Sequence, residues 1–273
     1  MNVPFSLVFI FLMVPFLSIV TMVVAMINAK HREEKLFRVG VLYLKGLRAL
    51  LMHIQQHRGL SNSYLNGNRQ TEAEIARLEA IIKEEIFNVE DIDLWLLTNP
   101  KWESIVDHWS RLAYSYKTTE PENNLKQHNN LIANLLYLID DLAYAHQLGK
   151  MGAVDATDSD WRHLLSLAEY IGQARALGMG AVSRGQCSSL LRSQLNHLRI
   201  KIESNINLNW TEITQHDFHQ LLTAIEKQVV VEKTSISPAE YFALATECIK
   251  HVLMEFDSQV EKMQFQRKEI YRK

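Results

Sequence analysis

Residues 41–65, VLYLKGLRALLMHIQQHRGLSNSYL, decide the fold. Leu44, Leu47, Leu51, Ile54, Arg58, Ser61 and Leu65 recur at steps of three and four, which keeps one face of an α-helix turned toward a core. The same spacing returns in Trp161, Leu164, Ala168, Gly172, Arg175, Met179 and Val182. Working outward, the chain from residue 30 onward reads as helices at approximately 31–66, 70–87, 100–117, 120–149, 159–184, 187–206, 211–231 and 238–270. Asn99-Pro100 and Ser237-Pro238 are cap-then-proline pairs. Ser237 to Glu240 forms a capping box, and Thr119 to Glu122 repeats that pattern around Pro121. Gly67-Asn68, the stretch 149–158 and Gly185 supply stops. The nearest approach to a strand, Val229 to Glu232, is short. Eight helices exceed one simple bundle, so the expected fold is all-α, with two packed four-helix bundles in one domain over 29–273.

A net charge of -2 gives no general attraction to nucleic acid, and no nucleic-acid partner is expected. With 2 cysteines, Cys187 and Cys248, far apart in sequence, neither a thiolate metal site nor a disulfide framework follows; two buried thiols fit a helical core better. Residues 5–27, FSLVFIFLMVPFLSIVTMVVAMI, carry no charge and are long enough to cross a hydrocarbon core of about 30 Å. Nothing basic precedes them, and the run exceeds a signal-peptide core, so the block 1–28 reads as a single-pass membrane anchor. Lys30, Arg32, Lys35 and Arg38 follow it. The positive-inside rule then places the large domain on the cytoplasmic side of the inner membrane. No Gly or Pro interrupts residues 17–39, so anchor and first domain helix are expected to form one rod.

Arg58 and Arg175 both occupy slots where a core helix places an apolar side chain. Small residues surround them: Gly59, Ser61 and Ser63 near the first, Gly172, Ala174, Ala176, Gly178, Gly180 and Ala181 near the second. Neither has an acid three or four residues away in its own helix. Burying an unpaired guanidinium costs several kcal/mol, so a counter-charge must come from another helix, such as Asp140 or Asp141, or from a ligand.

The segment QQHRGLS at 55–61, followed by Tyr64-Leu65, resembles the first signature of the nitrate- and nitrite-sensing (NIT) domain, a Gln-x-Glu-Arg-Gly-like stretch. Gly172-Gln173-Ala174-Arg175 is similar to its second signature, Gly-x-x-Arg, and SPAEYFALAT at 237–246 looks like the start of its last helix. The resemblance spans about residues 36 to 262. It implies two side-by-side four-helix bundles and one arginine from each signature, here Arg58 and Arg175, required for the response to nitrate or nitrite. His57, Ser61 and Gly172 are the further candidate ligand-binding positions. His57 stands where the family has an acid, and a histidine there adds positive charge below neutral pH. Planar oxyanions match the parallel N–H donors of a guanidinium, and an anion between two arginines relieves their repulsion.

Other signals are weak. His53 and His57 lack a third metal ligand, as do His216 and His219. Asp155, Asp158 and Asp160 lack the glycine and terminal glutamate of a calcium loop, and Asp158 or Ser159 reads as a helix cap. No phosphate loop, nucleophile elbow or carboxylate pair calls for an enzyme, a metal or a cofactor. The expected function is a membrane-anchored anion sensor. No output module follows in this sequence, so the expected signal passes to a separate, unidentified partner protein. A homodimer through the membrane helix fits the pattern. The rival reading is a helical scaffold that kept the fold and lost the anion.

Overall fold

The apolar stripe that begins at Leu44 lies in α1 (Phe5–Leu65), a single helix of 61 residues. The computed structural model describes residues 5–149 and 161–272, with only the backbone for 5–12, 14, 15 and 270–272. Leu44, Leu47, Leu51, Ile54, Arg58 and Ser61 are all buried, as their spacing predicts. The expected continuity also holds: one rod carries both the N-terminal apolar block and the first domain helix. At 1.5 Å per residue it is about 90 Å long. Residues 16–35 are exposed on every side, and Phe37 is the first buried side chain. Among the described residues no helix is long and apolar enough to cross a membrane. The anchor expected at 5–27 falls partly outside them, because the side chains of 5–12, 14 and 15 are not described.

The remaining helices are α2 (Glu72–Glu90), α3 (Leu94–Leu97), α4 (Pro100–Ser115), α5 (Pro121–Ala145), α6 (Trp161–Arg184), α7 (Ser189–Glu203), α8 (Glu212–Ala224) and α9 (Pro238–Arg272). α1, α2, α4 and α5 pack into one group and α6, α7, α8 and α9 into a second, with α6 touching α1 and α5 where the groups meet. α6 is therefore buried on most of its circumference. α9 runs antiparallel to α1: Arg48 pairs with Asp257 at 2.8 Å, Lys45 donates to Gln264 at 3.2 Å, and Arg267 lies over the Phe37 ring.

Local chemistry sets the helix ends. Asn99 accepts from the Lys101 amide ahead of Pro100, and Ser237 Oγ accepts from the Glu240 amide, so both caps stand as expected. The cap expected at Thr119 does not form. Its hydroxyl donates back to the Ser115 carbonyl at 2.8 Å, which leaves Glu120 at the start of α5. Gly67 and Gly185 stop their helices at positive φ, each followed by an amide that reaches back five residues, Asn68 to the Ser63 carbonyl and Gln186 to the Ala181 carbonyl. α5 ends the same way on Gln147 (φ 55) rather than at Gly149, and Leu148 N–H closes the turn on the Ala143 carbonyl. The strand-like run at 229–232 follows a π-turn, Ile225–Val229, that buries Ile225 and Val229; beyond it Lys233 makes one bridge to Gln186. The loop carrying Asp155, Asp158, Ser159 and Asp160 lies outside the described residues. Cys187 and Cys248 are buried free thiols.

Candidate anion-binding site

Arg58 leaves α1 on the face turned toward α5 and α6 and is 1% exposed. Its counter-charge is a protein carboxylate. Nη1 donates to Glu169 Oε1 at 2.6 Å and Nη2 to Oε2 at 3.2 Å, while Nη1 also donates to Asn129 Oδ1 at 2.7 Å. Glu169, 4% exposed, accepts further from Gln55 Nε2 and Gln173 Nε2, each at 2.8 Å. The carboxylate thus ties α6 to α1 across the joint between the two helix groups. Asp140 and Asp141 do not serve: they pair with Arg162 and Lys101 at the surface. Gly172 has a specific reason to be glycine. A Cβ there would stand 2.7 Å from Arg58 Nη2 and 3.8 Å from Glu169 Oε2, so the bare backbone makes room for the guanidinium.

Arg175 lies one helical turn beyond Gly172 on α6 and faces α9. It is half-buried, and Nη1 donates to Thr246 Oγ1 at 2.9 Å. Its guanidinium rests 4.9 Å from the centroid of Phe242, whose ring is exposed. No carboxylate pairs with it among the described residues. Burial, then the charge of Arg58, pushes the guanidinium down to about 10, against the pull of Tyr241 and Glu169. It stays charged at neutral pH. Close approach of α9 supports this arrangement: Tyr241, fully buried, donates its hydroxyl to the Ala174 carbonyl at 2.7 Å and lies where a Cβ on Gly178 would clash.

His57 and Ser61 go elsewhere. His57 points into the first helix group, where its Nδ1 lies 2.8 Å from His128 Nε2 and its Nε2 lies 3.4 Å from Glu79 Oε1, with Trp109 and Tyr116 edge-on to the ring. His128 Nδ1 donates to the Asn124 carbonyl, which leaves Nε2 to accept from His57. Ser61 Oγ accepts from Asn124 Nδ2 at 3.0 Å. His53 pairs with Glu85, so His53 and His57 do not converge. Two guanidinium charges and one carboxylate therefore remain as the candidate site, bordered by Gln55, Asn129, Gln173 and Thr246. Sequence reasoning missed Glu169, although the test that found the arginines reaches it. Leu165, Glu169, Gly172 and Ala176 form a buried stripe at steps of four, three and four, with an acid in a core slot.

These histidines make acid stability testable. Burial, then the charge of His57, holds His128 well below the usual histidine value, and burial holds His146 below it as well. The folded chain then binds fewer protons than the unfolded chain as pH falls through about 6.5, so stability is lost in that direction. Urea midpoints are expected to be lower at pH 5.5 than at 7.5, and His128→Gln should flatten the slope.

The family follows from the sequence pattern laid over this geometry. The nitrate and nitrite sensing pattern matches residues 49–263, which contain both arginines, Glu169 and Thr246. The chain belongs to the NIT family. The solved structure of the NasR transcription antiterminator is similar to it over 89% of this chain and 73% of that one, with a TM-score of 0.65 and 18% sequence identity. At that identity the likeness speaks for a shared fold alone. Comparison with curated proteins gives no match. NIT membership points to a sensing or regulatory role.

Proposed function

We propose that this chain is a membrane-anchored sensor that binds nitrate or nitrite between Arg58 and Arg175 and signals through a separate partner protein. Arg175 carries the reading. It is a charged, half-buried guanidinium with no carboxylate of its own, beside a second arginine whose charge it feels. Two arginines against Glu169 leave one positive charge in excess, which one monovalent anion balances. The depression of Arg175 to about 10 corresponds to roughly 3 kcal/mol of desolvation and repulsion for such an anion to relieve. The Phe242 ring, exposed at the α6–α9 seam, lies 4.9 Å from the Arg175 guanidinium, so this arginine sits close to solvent. His57 and Ser61 act behind Arg58, in the packing of the first helix group, and Gly172 supplies the space at its Nη2.

The anchor reading rests on the uncharged run 5–27 and on the exposed Phe16, Leu17, Ile19, Met22, Val24 and Ile27 of α1. Orientation with the domain in the cytoplasm rests on the basic residues that follow, and a C-terminal reporter tests it. The rival scaffold reading has one observation in its favour: Arg58 already holds a carboxylate.

Thermal unfolding of the full chain in detergent separates the two readings. A ligand that binds the native state raises its stability by RT ln(1 + [L]/Kd), about 2.7 kcal/mol at a hundredfold excess over Kd. Millimolar nitrate or nitrite should raise the Tm, and matched chloride and sulfate should not. No shift with any of the four favours the scaffold.

A further inference from the structure

α9 brings a second charged segment back to the end of the domain from which the α1 rod departs. The two helices run antiparallel there: Arg48 pairs with Asp257, Lys45 donates to Gln264, and the Arg267 guanidinium lies 5.0 Å from the centroid of the Phe37 ring. Continued at that register, the end of α9 at Arg272 stands level with α1 about five residues before Phe37. α1 supplies Lys30, Arg32, Lys35 and Arg38 at this end, against Glu33 and Glu34. α9 adds Arg267, Lys268 and Arg272, against Glu269. Arg32, Lys35, Arg38 and Lys268 are all exposed. The whole chain carries a net charge of -2, so this positive end is balanced by a surplus of acid elsewhere. Resting on the anchor reading above, we propose that the last turns of α9 dock on anionic lipid headgroups, beside the basic stretch of α1.

The lengths fit. With the hydrocarbon boundary at Ile27, the end of α9 stands about 8 Å from it along the α1 axis, at 1.5 Å per residue. A headgroup layer is about 5–8 Å deep on each side of a bilayer, so α9 ends at its outer edge. Lys268 stands about 15 Å from the boundary, roughly one Debye length beyond the headgroups at physiological salt. The long stems of lysine and arginine shorten that gap further. Anionic lipid is the occupant that both charge and position select, because the basic ends of two helices meet where the anchor enters the bilayer. The acid-rich remainder of the domain is repelled by the same surface, so the contact holds the domain on end rather than flat. α9 also carries Thr246, which accepts from Arg175. The lipid contact and the candidate anion site therefore lie on one helix, about 33 Å apart.

The test places the full chain in nanodiscs of phosphatidylcholine alone, or of phosphatidylcholine mixed with phosphatidylglycerol, and follows amide hydrogen exchange over 262–272. Exchange there should be slower in the anionic discs by about fivefold or more, the factor that one Lys or Arg near an anionic surface contributes. High salt should abolish the difference, and so should Lys268→Gln combined with Arg272→Gln. Equal exchange in the two kinds of disc overturns the lipid contact and leaves the anchor reading intact. Slowing that survives in the double variant also overturns it, because the charges of α9 are then not its source. Flotation with phosphatidylcholine vesicles at high salt tests the anchor separately. A chain that stays behind in that experiment removes the anchor reading, and the α9 contact with it.

Discussion

Arg58→Ala is expected to destabilise the folded chain by about 3–5 kcal/mol, the cost of leaving a buried carboxylate without its cation. Glu169 is 4% exposed, and its two remaining donors, Gln55 and Gln173, are neutral. The variant removes a structural ion pair as well as half of the proposed binding site, so a stability readout must accompany the nitrate response. Urea unfolding monitored by far-UV circular dichroism measures the loss. A paired change, Arg58→Met with Glu169→Leu, removes both charges and should restore most of the stability, since replacing a whole buried pair with apolar side chains is often neutral or favourable. Persistent destabilisation in the double variant contradicts the pairing as the source of the effect.

Arg175→Ala is expected to behave oppositely: the anion-dependent Tm shift disappears while stability without anion changes by no more than about 1 kcal/mol. The balance follows from the local terms. The substitution gives up the hydrogen bond to Thr246, worth roughly 1.5–3 kcal/mol for a charged donor. It also gives up the contact with the Phe242 ring, worth about 0.5–1 kcal/mol. Against these it removes roughly 3 kcal/mol of desolvation and repulsion. Parallel melts of wild type and variant, with and without millimolar nitrate, read both quantities. A variant that loses several kcal/mol without anion assigns Arg175 a structural role instead.

The contrast between the two arginines marks where sequence reading reached and where it stopped. Periodicity placed both in core slots, and the structure buries Arg58 as completely as Leu44 or Leu47 beside it on α1. Local stops and caps were also legible, because Gly67, Gly185, Asn99 and Ser237 act within a few residues of themselves. Thr119 shows the limit even there: its hydroxyl found the end of the preceding helix before the start of its own. Glu169 lay beyond the reading because its partner is 111 residues away in sequence. An acid on α6 is tied to an arginine on α1 by the packing of two helix groups, and a search within one helix cannot see that. His57 was misplaced for a related reason. Adjacent residues on a helix point about 100° apart, so His57 and Arg58, neighbours in the motif, serve different sides of α1. The membrane reading of α1 rests on composition alone, and the structure adds that Phe5 to Leu65 form one continuous helix.

A crystal structure of the full chain grown in saturating nitrate tests the central claim most directly. The account predicts one nitrate in hydrogen-bond contact with the guanidinium groups of both Arg175 and Arg58. Nitrate bound away from these arginines, or both side chains unchanged in a crystal that holds none between them, contradicts it.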